Sequence, residues 1–64
     1  MVDPEKLSLP ADRAFVVQLH AEAKIEHGQV HGRVEHIVSY QATRFTTLAE
    51  LLAFMARVLK EQQE

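Results

Sequence analysis

The segment Thr47–Gln62 constrains this chain more than any other. Leu48, Leu51, Leu52, Phe54, Met55, Val58 and Leu59 recur there at helical spacing. At 100° per residue they cover roughly 160° of a helix circumference, where a one-sided stripe needs a little over 100°. Thr47-Leu48-Ala49-Glu50 supplies a capping box at the start. The Thr47 hydroxyl can accept from the Glu50 amide, and the Glu50 carboxylate from the Thr47 amide. Arg57 and Lys60 stand near the far end, where the helix dipole favours cations. A helix with such a stripe must bury it, and the rest of the chain must supply the surface.

The preceding residues read as strands. Arg13–Ala21 is the first: Phe15, Val17 and Leu19 alternate with Val16, Gln18 and His20. Glu22–Gln29 is a loop with Ile25 as its lone apolar residue. Val30–Ser39 is the second strand, with Val34, His36 and Val38 on one face and Arg33, Glu35, Ile37 and Ser39 on the other. Apolar residues on both faces suit a central strand. Gly28 and Gly32 flank this region, where positive φ angles are most needed. Ser39-Tyr40-Gln41-Ala42 makes a turn without Gly, Asn or Asp, and Ala42–Thr46 is a short third strand. Residues 1–12, interrupted by Pro4 and Pro10, form a flexible N-terminal tail, or lay Leu7 or Leu9 on the core. Residues 13–64 form a single domain. The expected fold class is α+β, a three-stranded antiparallel sheet packed against one C-terminal helix (βββα). Its expected core is Phe15, Val17, Leu19, Val34, Val38, Phe45, Leu48, Leu51, Leu52, Met55 and Leu59.

Composition narrows the function classes. The chain has no cysteine, so disulfides and thiolate chemistry are excluded. At 64 residues, a domain buries only about 60% of the surface its unfolded chain exposes, and small domains often gain stability by associating. A net charge of −2 argues against bulk attraction to nucleic acid or anionic lipid. No apolar run can span a bilayer, and Met1–Pro10 lacks the apolar stretch of a signal peptide. A cytoplasmic protein without membrane contact is expected.

Neither metal nor catalytic chemistry finds a pattern. A zinc site needs three or four converging ligands. His27 and His31 would align on a helix, but Gly28 and Gly32 interrupt one. His31 and His36 are five apart and point to opposite faces of a strand. His27 and His31 therefore read as loop residues, His20 as a sheet-surface residue and His36 as part-buried. If His36 lies beneath Leu51 and Met55, it folds in its neutral form. Glu35 and His36 are neighbours on a strand and cannot serve one substrate together. Gly28-Gln29-Val30-His31-Gly32 lacks the Lys-Ser/Thr of a phosphate loop. No catalytic residue, metal or cofactor is expected, and the chain reads as a non-enzyme.

Association remains. The wide stripe is expected to leave Phe54 or Val58 uncovered, and the open sheet face to show Val16 and Ile37. The first strand, Phe15–Leu19, would form an edge without Pro or Lys, and such edges invite pairing. A protein partner is expected, a homodimer included: the chain reads as a small non-catalytic protein-interaction module. The alternative is a small nucleic-acid-binding domain using the open sheet face, with Arg33, Arg44 and His20 as contacts. Glu35 lies among them, and the net charge opposes it.

Two resemblances add to this. Gly32-Arg33-Val34-Glu35-His36-Ile37-Val38-Ser39, followed by Arg44-Phe45 and Glu50-Leu51-Leu52-Ala53-Phe54, resembles a set of small uncharacterised bacterial proteins. They begin with a strand similar to Ala14–Leu19, and the likeness covers about Arg13–Leu59. It implies no activity and no site residues. Where those proteins usually carry glycine after the serine, this chain has Tyr40. By order of elements and by the Phe45-Thr46-Thr47 junction, the chain is also similar to the arm-type DNA-binding domains of tyrosine recombinases and to the plant AP2 domain. That likeness implies basic and aromatic residues reading DNA from the open face; tryptophan is absent here.

Overall fold

The computed structural model describes residues 9–62. Strands β1 (Phe15–Leu19), β2 (Gly32–His36) and β3 (Ala42–Phe45) form one antiparallel sheet in that order, and helix α1 (Leu48–Gln62) follows. This is the expected α+β, βββα architecture. Single turns of 3-10 helix occur at Ala11–Arg13 and Ile25–His27. Cross-strand rows are Val17, Val34 and Thr43, then Gln18, Arg33 and Arg44, then Leu19, Gly32 and Phe45. Side chains alternate across a strand, so the odd residues of β1 face α1 together with Val34 and His36.

The strands are shorter than their apolar patterns. The second ends at His36 rather than Ser39, because the Tyr40 amide donates to the His36 carbonyl at 3.0 Å and closes a turn. Val38 falls in that turn and is exposed. The loop before β2 is a miniature hairpin. Lys24 bridges Gln29, and Gly28 takes φ +75° to reverse the chain. Gly32 needs no positive φ. It is small because a Cβ there would run into the Gln18 carbonyl oxygen and stand 2.9 Å from Leu19 Cα.

The core consists of Val34 and His36 from β2, Phe45 from β3, and Leu51, Phe54 and Val58 from α1. Phe15, Val30 and Met55 pack against it. Phe54 and Val58 are thus buried, and the expectation that they are left uncovered is corrected. Val17, Leu19, Leu48 and Leu52, expected inside, are exposed. One cause underlies both: α1 packs mainly on β2 and β3 and meets β1 through Phe15, whose ring centroid stands 6.3 Å from that of Phe54. Its polar flank is tied to the β3 side, where Arg57 and Glu61 both bond Gln41, at 3.3 and 3.2 Å. At 100° per residue, Leu48 and Leu52 then fall on the other flank, and both are exposed. Of the two tail leucines, Leu9 is exposed rather than laid on the core, and Leu7 lies outside the described residues.

The capping box forms as the sequence spacing requires. The Glu50 amide donates to Thr47 Oγ1 at 3.1 Å, and Glu50 Oε1 accepts from the Thr47 amide at 3.1 Å. The same oxygen accepts from the Thr46 hydroxyl at 2.6 Å and the Thr46 amide at 2.7 Å. These bonds, the Thr46 hydroxyl foremost, hold the Glu50 carboxyl below its usual value of 4.5. A carboxyl lowered on folding contributes stability above its unfolded value and loses it as pH falls through the folded value. Glu50→Gln is therefore expected to lower the melting temperature at pH 7, and the gap from the parent to close as pH falls through the lowered value of the folded carboxyl. Thermal melts of both proteins from pH 7 to 2 check this.

Tyr40 holds φ +64° and is 79% exposed. A left-handed non-glycine residue costs about 1–2 kcal/mol, part of which glycine would return as chain entropy in the unfolded state. Tyr40→Gly is expected to stabilise the fold by about 0.5–1 kcal/mol in urea denaturation.

Candidate functional site

The open face of the sheet carries the polar side chains. Gln18, Arg33 and Arg44 form one row across the three strands. His20 and His31 continue it, joined by the His20 amide donating to the His31 carbonyl at 2.8 Å. Their rings stack, with centroids 4.8 Å apart and planes 27° from parallel. Gln18, His20, His31, Arg33, Arg44 and Thr46 line one open depression of about 520 Å³. The structure thus brings Arg33, Arg44 and His20, singled out in the sequence, into one site. It adds His31, which the sequence reading left in the loop.

Electrostatically the site is partly compensated. Arg33 Nη1 contacts Glu35 Oε1 at 3.0 Å, both half-exposed. Arg44 enters no ion pair among the described residues. It stands directly opposite Arg33 in the register, and like charges so placed oppose folding. The Glu22 amide donates to His20 Nδ1 at 3.1 Å. A nitrogen that accepts from an amide carries no proton in the neutral ring, so the His20 proton sits on Nε2.

His36 is a different case. It is fully buried on the helix side, 4.9 Å from the Phe15 ring centroid. Nε2 stands 2.7 Å from the Asp12 carbonyl, which can only accept, and the Ser39 amide donates to Nδ1 at 3.3 Å. The neutral Nε2–H form follows from these two partners. The Ser39 hydroxyl lies 2.7 Å from Nδ1 and accepts from the Gln41 side chain at 3.3 Å. His36 is a satisfied core residue, and Asp12, assigned to the tail from sequence, is tied to it through its main chain.

Of the residues expected to meet a protein partner, Val16 and Ile37 are exposed on the open face, while Phe54 and Val58 are inaccessible. Further exposed apolar side chains stand on β1 and α1. Val17 is 42% exposed, Leu19 46%, Leu48 53% and Leu52 55%. Val17 and Leu19 on the inner face of β1, with Leu48 and Leu52 on the flank of α1 away from Gln41, make up an exposed apolar shelf, and β1 itself is a sheet edge. Among the described residues, no three His, Cys, Asp or Glu stand together to hold a metal ion, and no helix is long and apolar enough to cross a membrane. Comparison with protein-family models, curated proteins and solved structures gives no match to the chain.

Gly32 joins the two regions, since it sits between Leu19 and Phe45 in the register and lines the depression. Gly32→Ala forces the β1 backbone away and is expected to cost about 3 kcal/mol, the upper range for overpacking, because backbone rather than a side chain must move. Urea denaturation of the variant measures it.

Proposed function

We propose that this chain is a non-catalytic protein-interaction module, cytoplasmic in setting, that pairs with a second copy of itself along β1. The observation that carries this is the unguarded state of β1. Phe15–Leu19 contains no charge and no proline, and on its inner face Val17 and Leu19 stay exposed beyond the reach of α1, which covers Phe15 alone of the three. The other edge is better defended, because β3 carries Arg44 and lies beside the polar cluster of Gln41, Arg57 and Glu61.

The hydrogen-bond phase of β1 favours a symmetric partner. The Ile37 amide donates to the Ala14 carbonyl at 3.1 Å and the His20 amide to the His31 carbonyl at 2.8 Å. Even-numbered residues of β1 therefore bond β2, and the main-chain groups of Phe15, Val17 and Leu19 point outward. Two copies related by a two-fold axis at Val17 match these groups, with Val17 opposite Val17 and Phe15 opposite Leu19. The pairing yields a continuous six-stranded sheet and brings the two shelves together. Val16, Val17, Leu19, Leu48 and Leu52 expose on the order of 400 Å² of apolar surface per copy. With the main chain of the edge added, this approaches ~500 Å² per partner, the lower bound for a biological interface and the range of a weak, dilution-sensitive one.

The nucleic-acid reading draws on Arg33, Arg44 and His20. The Arg33–Glu35 ion pair and the net charge of −2 count against it.

Light scattering at about 100 µM is expected to give the dimer mass, dissociating on dilution to about 1 µM. Val17→Pro removes only an outward N–H, which an edge strand tolerates, and is expected to give a folded monomer. Leu52→Lys places a charge on the shelf and is expected to weaken the dimer. A parent protein that is monomeric at 100 µM, or a Val17→Pro variant that dimerises equally well, overturns the proposal.

A further inference from the structure

We infer that the depression on the open face binds a single phosphate-sized dianion, as free phosphate or as the phosphate group of a small ester. Its polar side chains face the opposite side of the sheet from the shelf, and Leu19 is the one lining residue that the shelf shares. Arg33 and Arg44 stand opposite each other in the register although the fold gains nothing from their proximity. An anion between them turns that repulsion into two charge-assisted contacts. His20 presents its Nε2 proton as a further donor, since Nδ1 is occupied by the Glu22 amide. Gln18 adds an amide and stacked His31 a second imidazole on the same lining.

The size of the patch selects the ligand. Two rows across three strands span about 10 Å by 7 Å. Beyond them toward the other end of the strands stand Val16, Glu35 and Ala42, one row without a cation. The patch therefore fits one phosphate group and does not continue as the track of basic residues that a nucleic-acid backbone requires.

Glu35 is the built-in competitor, because it already neutralises Arg33 at 3.0 Å. This supplies a test by gain as well as by loss. Amide and imidazole resonances are followed by NMR at constant ionic strength while sodium chloride is exchanged for sodium phosphate, for sodium sulfate or for methyl phosphate. Saturable shifts are expected at Gln18, His20, His31, Arg33 and Arg44, with a dissociation constant on the order of 1 mM. Binding of inorganic phosphate and sulfate alone assigns a free anion; binding of methyl phosphate as well assigns the ester. Arg44→Gln is expected to weaken binding about ten-fold and Glu35→Gln to tighten it several-fold, while Lys60→Gln on α1 leaves it unchanged. No saturable shift, an unchanged affinity in Glu35→Gln, or an affinity for single-stranded oligonucleotides that climbs with their length would overturn the assignment, the last in favour of a nucleic-acid track.

Discussion

One helix cannot cover three strands when its start is fixed beside the third. A helix with its side chains is about 10 Å across, while the axes of β1 and β3 lie about 10 Å apart before side chains are counted. Only Thr46 and Thr47 separate Phe45 from Leu48. Both are held by the Glu50 carboxylate, so the chain has no slack with which to shift α1 toward β1. The helix therefore seals β2 and β3, reaches β1 at Phe15 and leaves Val17 and Leu19 exposed. The buried stripe, the bare shelf and the bare edge all descend from this short junction.

The helix, its capping box and the three strands were legible because each rests on local chemistry: spacing, a cap and alternation. Which part of the helix goes inside was not. The stripe from Leu48 to Leu59 is wide enough for two neighbouring faces to serve as the inner one. The choice between Phe54 with Val58 and Leu48 with Leu52 depends on which side of the helix finds β3. The bond from Arg57 to Gln41 reports that choice, and no spacing within the helix foretells it. The same applies to β1, whose alternation named an apolar face correctly while burial depended on a cover that does not reach.

The histidines show a second limit. His36 was legible as an inward residue from its phase with Val34. Its satisfaction depends on the Asp12 carbonyl, 24 residues away in sequence, and on a turn that brings Ser39 to its Nδ1. His31 lies between Val30 and Gly32 and looked like loop; its partner His20 is reached only through the register of β1 with β2. The turn at Ser39–Ala42 looked weak for want of a glycine, and Tyr40 supplies the left-handed residue at a conformational cost.

The two proposed surfaces meet geometrically through β1. If Val17 marks a two-fold axis, each His20 lies three residues from it, in opposite directions. At about 3.4 Å per residue the two depressions then stand roughly 20 Å apart along the paired strands, on one face of a six-stranded sheet. The helices and their joined shelves occupy the other face. A dimer so arranged keeps its apolar contacts and its cations on opposite sides of the sheet. Binding an anion then relieves repulsion within each subunit on the face away from the shelves. Two residues link the sides: Leu19 lines the depression and lies in the paired edge, and Gly32 allows β1 and β2 to close at the His20 end, so that displacing it disturbs the depression and the outer edge together.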